Sequence, residues 1–150
     1  MTVYTTAPAR DRLAETARSL ALDPARWIHR VRLSVEERWY ERLHVDAEHE
    51  IWLLSWMPGQ ATGFHDHGYS RGAFAVALGT LQEDDLRVER DLAPGDVRAF
   101  GLNHIHDVRN VSHAPAVSVH VYSPPLSLMN RYDRTESGLI KVAEERAEQW

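Results

Sequence analysis

The chain has 150 residues, no cysteine and a formal net charge of −5. That charge argues against nucleic acid, which asks for a basic face, and offers no attraction to an anionic membrane surface. Without cysteine, neither a disulfide nor a protein thiolate can enter its chemistry.

The start, Met1 to Pro8, has no apolar run of signal-peptide type. The longest apolar run, Ala73 to Leu78, falls far short of the roughly 20 residues a helical bilayer span needs. The expectation is a soluble, cytoplasmic protein, and no feature asks for an obligate protein partner. Leu13, Ala17 and Leu20 recur at helical spacing, which predicts an amphipathic helix over residues 9 to 21. Asp23-Pro24 reads as a cap with proline in the first turn, so a second helix is expected from Pro24 to about Arg30. From about residue 36 to 135 the texture is that of a β-barrel. Short segments rich in Val, Ile, Trp, Tyr and Phe alternate with turn signals at Pro58-Gly59, Gly79, Glu83-Asp84-Asp85, Pro94-Gly95-Asp96 and Ala114-Pro115. No helical stretch interrupts them, so the fold class is all-β, an antiparallel barrel or sandwich in one domain over 1–150. The tail from Ile140 to Trp150 reads as either strand or helix.

Chemistry concentrates in the histidines. His65 and His67 flank Asp66, and on a strand alternate side chains share a face, so both imidazoles can point inward while Asp66 points away. His104 and His106 form a second such pair, and either could join them. His29, His44, His49 and His113 lie in loops or beside turns and read as surface residues. Val117, Val119 and Val121 make one face of a strictly alternating segment, and Ser118, His120 and Tyr122 make the other. The polar face is either solvated or a hydrogen-bond relay turned into a pocket. Trp39, Trp52, Trp56 and Phe74 read as barrel wall and core.

Gly59, five residues, His65-Asp66-His67, Gly72, six residues and Gly79 form one block. Pro94-Gly95-Asp96 followed by His106, three residues and Asn110 forms another. Together they resemble the two motifs of the cupin superfamily. The resemblance implies a jelly-roll barrel with His65, His67 and His106 as metal ligands; the spacing to Asn110 favours His106 over His104. Most metal-binding cupins place a glutamate shortly after the first pair. Arg71 or Gly72 stands there instead, leaving three neutral ligands, and such a site suits an anionic soft donor such as a thiolate.

The stretch Pro115-Ala116-Val117-Ser118-x-His120-x-Tyr122-Ser123-Pro124-Pro125, added to these blocks, resembles the cysteine dioxygenase family of thiol dioxygenases over roughly residues 38 to 133. This resemblance implies one Fe(II) per chain on the three histidines. It also implies a Ser118-His120-Tyr122 relay and a cis peptide at Ser123-Pro124. Tyr40-Glu41-Arg42-Leu43 resembles the family's substrate-carboxylate site, with Arg42 as clamp and Tyr40 beside it. The implied reaction places both atoms of O2 on the sulfur of a small thiol, with L-cysteine giving cysteine sulfinic acid. Arginine rather than glutamine at 42 favours cysteine over 3-mercaptopropionate. Animal members carry a cysteine cross-linked to the tyrosine; Gly72 holds that place here, as in many bacterial members, so Tyr122 is expected as a plain phenol. Two alternatives stand beside this reading: a dioxygenase for another small thiol, and a cupin that binds metal or a small ligand without turnover.

Overall fold

The computed structural model describes residues 9–149. Helix α1 (Ala9–Ala21) buries Leu13, Ala17, Leu20 and Ala21, the stripe its spacing predicts. The expected second helix is shorter than predicted. Asp23-Pro24 opens only a 3-10 turn at Pro24–Arg26, and Asp23 makes no side-chain cap. Trp27, at φ −136° and 2% exposed, leaves the helical path to enter the core, so residues 27 to 30 continue as turns.

Eleven strands follow among the described residues: β1 (Trp39–Val45), β2 (Glu50–Trp56), β3 (Phe64–His65), β4 (Arg71–Leu78), β5 (Leu81–Asp84), β6 (Glu89–Leu92), β7 (Val97–Phe100), β8 (Asp107–Arg109), β9 (Ala116–Ser123), β10 (Leu128–Thr135) and β11 (Gly138–Arg146). One face is a five-stranded antiparallel sheet in the order β1-β2-β9-β4-β7. The opposite face is two three-stranded sheets, β11-β10-β3 and β6-β5-β8. Bridges between His65 and His106 and between Ala61 and Arg109 join them across β3 and β8. The hydrogen bonds do not close into one continuous ring, but the arrangement is the jelly roll of a cupin. The Ser123-Pro124 peptide that leaves β9 is cis, as the resemblance implies.

Two expectations change. The tail is a strand as far as Arg146 and a 3-10 turn over Ala147–Gln149, with Trp150 outside the described residues: β11 pairs with β10 from Thr135↔Gly138 to Leu128↔Arg146, so the sheet runs past residue 135. Glu83-Asp84 belongs to β5 rather than to a turn. The reversal comes at Asp85, where the Asp84 and Asp85 carboxylates accept the N–H groups of Leu86, Arg87 and Val88.

Burial explains why β9 has no solvated face. Val117, Val119 and Val121 pack with Leu53, Ala73 and Ala75 under α1. Ala116 and Tyr122 turn the other way, with Leu54, Trp56, Phe74 and Phe100, into the space between the sheets. Ser118 and His120 share that interior side and are buried as well.

Candidate metal centre

His65 ends β3 and exchanges both backbone hydrogen bonds with His106, at 3.0 and 3.1 Å. That ladder pair brings the two rings to 4.7 Å between centroids. Asp66 points away and ties the loop to β10, accepting from the Asn130 N–H and side-chain amide and from the Tyr132 hydroxyl. The next reversal needs glycine: Gly68 has φ +58°, and a Cβ there would stand 2.6 Å from the Leu128 carbonyl oxygen. His67 is thereby turned inward, its ring 4.9 Å from each of the other two. One nitrogen of each ring lies within 4.8 Å of the others, and all three residues are buried.

Burial, reinforced for His65 and His67 by neighbouring imidazoles, holds the pKa of these two well below the ordinary value. Burial also lowers His106, against the opposing pull of Glu83. All three are neutral near pH 7 and present lone pairs. His65 Nδ1 donates to the Gly63 carbonyl at 2.9 Å, and His106 Nδ1 stands 2.7 Å from Glu83 Oε2, so in both rings Nε2 is the free acceptor. His67 finds no hydrogen-bond partner for either nitrogen among the described residues. A buried imidazole without partners, facing two neutral imidazoles, is a donor set that fits a divalent first-row metal.

Beside it, the polar face of β9 forms a chain of contacts with a direction. Trp56 Nε1–H, which can only donate, bonds Ser118 Oγ at 2.9 Å. Ser118 Oγ lies 2.8 Å from His120 Nε2, and its hydroxyl has no other acceptor among the described residues, so it donates there. The His120 proton then sits on Nδ1, facing the Tyr122 hydroxyl at 3.4 Å. Burial drives the His120 pKa down to about 3 and keeps the ring neutral. Burial also raises the Tyr122 phenol well above its ordinary value. Tyr122 accepts from His120 and keeps its own O–H for the cavity. The ring stacks on His67 at 5.3 Å.

The cavity has a volume of about 190 Å³, below the ~300–1,000 Å³ of sites for drug-sized ligands. His65, His106, His120, Tyr122, Tyr40 and Arg38 reach its wall. Arg42, expected as the clamp, does not. It borders the neighbouring cleft, which Tyr40 shares, pairs with Glu50 at 3.6 Å and lies over Trp52. Arg38 lines the cavity instead, set over the Trp56 ring at 5.1 Å and without an ion-pair partner among the described residues. Arg131 also lines the cavity but is held by Glu145 and the Thr62 carbonyl.

Glu83 escaped the sequence reading. It is fully buried, and its carboxylate takes His106 at 2.7 Å, His104 at 3.4 Å and Arg98 at 2.6 Å. Burial pushes its pKa up, but the hydrogen bonds from His104, His106 and Arg98 outweigh this and hold it well below the carboxylate range. His104 thus contacts the three-histidine cluster through Glu83 instead of joining it. The available signal was the alternation of Leu81 and Glu83 inward against Gln82 and Asp84, masked by the acidic run.

Residues 9–135 match the family model described as cysteine dioxygenase type I. Cysteine dioxygenase type 1 of Homo sapiens is 26% identical over 137 residues, spanning 80% of this chain and 68% of the human protein. That of Danio rerio is 29% identical over 113 residues, 63% of this chain and 56% of the fish protein. Among solved structures, TT1209 from Thermus thermophilus aligns with TM-score 0.61 and 26% identity over 65% of this chain and 93% of its own. A Klebsiella pneumoniae protein with a double-stranded β-helix domain aligns with TM-score 0.60 at 18% identity, over 77% of this chain and 93% of its own, a likeness of fold alone.

Proposed function

We propose that this chain, which belongs to the cysteine dioxygenase type I family, is a non-haem Fe(II) thiol dioxygenase that converts L-cysteine and O2 to cysteine sulfinic acid. The observation that carries the reading is a cluster of three neutral, buried imidazoles, two of which, His65 and His106, wall a small cavity that also holds the Arg38 guanidinium and Tyr122. His65, His67 and His106 would hold one ferrous ion. When bound, the ion supplies the redox-active centre at which a thiolate and dioxygen are brought together. The overall change is R–SH + O2 → R–SO2H: both oxygen atoms end on sulfur, and sulfur loses the electrons that dioxygen gains.

The protein's own groups bind and orient. The Arg38 guanidinium, unpaired inside the cavity, receives the substrate carboxylate, with the Tyr40 side chain on the same wall. Arg42, the residue that the family resemblance favours, serves at the margin, already half-neutralised by Glu50. Tyr122 holds a proton on its hydroxyl and offers it to an oxygen of the reacting group, while Ser118 and His120 fix its orientation from behind. Leu54, Val108, Leu126 and Met129 line part of the wall with apolar surface.

Oxygen uptake by the Fe(II)-loaded chain tests the reading. L-cysteine is expected to drive the fastest consumption, ahead of 3-mercaptopropionate and cysteamine. Uptake that no thiol accelerates would reject it, and a preference for 3-mercaptopropionate would reassign the substrate.

A further inference from the structure

The closed end of the β1–β2 hairpin carries a second cluster that plays no part in the cavity. His44 Nε2 lies 2.8 Å from Asp46 Oδ2, and His49 Nδ1 lies 3.3 Å from Asp46 Oδ1. The two rings are 4.9 Å apart. Their donor atoms all fall within 4.8 Å of one another. Ligand atoms ~2.0–2.1 Å from a tetrahedral ion stand about 3.3 Å apart, so the set needs little movement to close on one cation.

The backbone builds this arrangement. The pairing register of β1 shifts between Arg42 and His44, a bulge that re-aims His44 toward the turn. Asp46 N–H donates to the His49 carbonyl at 3.0 Å, and Asp46 Oδ1 accepts from the Glu48 and His49 N–H groups at 2.8 and 3.0 Å. That Asx-type turn leaves Oδ2 as the outward oxygen, beside His44. All three side chains reach solvent, which gives an ion entry and leaves room for water at the remaining positions.

We infer that His44, Asp46 and His49 form a second, surface metal site for a borderline divalent cation such as Zn(II), Co(II), Ni(II) or Cu(II). Two imidazoles and one carboxylate match these ions; Mg(II) and Ca(II) ask for oxygen ligands throughout. Binding replaces the hydrogen bond between His44 and Asp46 by coordination of both groups to the cation. An ion here clips β1 to β2 at the end next to Glu50. That residue accepts the Leu126 N–H at 2.9 Å and faces Arg42, so the clip stiffens the hairpin that carries Tyr40 and Arg42.

The experiment is calorimetric titration of the metal-free full chain with Zn(II), paired with Co(II) absorption spectra. Wild type is expected to take two equivalents. The His67→Ala variant should keep only the hairpin site, and the His44→Ala/His49→Ala variant only the buried one. His49→Gln, a milder change at the turn, should weaken the same equivalent. A wild type that binds one equivalent, still bound by the His44→Ala/His49→Ala variant, would overturn the inference. So would a second equivalent that survives His44→Ala/His49→Ala, or one that disappears in His104→Ala, which would place it on Glu83 and His104 instead. Because each site is read in the other's absence, a failed dioxygenase assay leaves this result standing, and the reverse.

Discussion

His106 Nδ1 and Glu83 Oε2 stand 2.7 Å apart with both residues buried. The carboxylate absent from the ligand set is therefore present one bond further out. It fixes the tautomer that leaves Nε2 for a metal, and Arg98 at 2.6 Å balances its charge. The three proposed ligands are graded: His106 leans on an anion, His65 on a carbonyl, and His67 on no described partner. Outer partners of this kind are worth roughly 10–100-fold in metal affinity. Glu83→Gln, which keeps volume and removes charge, is expected to lose that much in a chelator competition for iron. An unchanged affinity would show that Glu83 only braces the fold.

How much of this was readable in advance depends on the range of the interactions involved. The amphipathic stripe of α1 and the alternation of β9 are local periodicities, and both appear as expected. The His65-Asp66-His67 pair is local too, but the approach of His106 depends on a bridge between segments far apart in the chain, which spacing alone cannot deliver without the family pattern. Arg38 immediately precedes β1 and Arg42 lies within it, so sequence could not say which guanidinium enters the cavity; Arg42 lies in the neighbouring cleft, paired with Glu50. Glu83 was missed because consecutive acidic residues look like a turn, whereas β5 buries the first of them.

The two arginines make separable predictions. Arg38→Gln should raise KM for L-cysteine strongly and leave cysteamine, which has no carboxylate, nearly unchanged. Arg42→Gln should have the smaller effect on both. Steady-state kinetics with the two thiols reads the difference, and the reverse ranking would return the clamp to Arg42.

Gly72 pairs with Tyr122 across β4 and β9. A Cβ at 72 would stand 2.9 Å from Tyr122 Cδ1, 2.7 Å from Phe100 Cζ and 2.8 Å from the Val121 carbonyl oxygen. Overpacking of this kind costs about 1–3 kcal/mol. Gly72→Ala should lose that in denaturant unfolding and lower turnover by displacing the phenol. Full stability would mean that the sheet yields without strain.

His120 sets a pH dependence. Its folded pKa is about 3 against an ordinary 6.5. Below the ordinary value the unfolded chain takes up a proton that the native ring refuses, so stability falls on acidification. The loss is up to about 1.4 kcal/mol per pH unit across that window. His120→Asn removes this loss. The variant should be less stable than wild type at neutral pH, with the gap narrowing as pH falls from about 7 to about 5 in urea unfolding. A constant gap would contradict the neutral, buried imidazole.

Central to the proposed chemistry is a thiol sulfur that receives both atoms of dioxygen inside this cavity. Incubation of the Fe(II)-loaded chain with L-cysteine under isotopically labelled O2, followed by mass spectrometry, tests that directly. The expected product is cysteine sulfinic acid with both oxygens labelled, and none from the His67→Ala variant. Cystine alone, or a sulfinate carrying a single label, would contradict it.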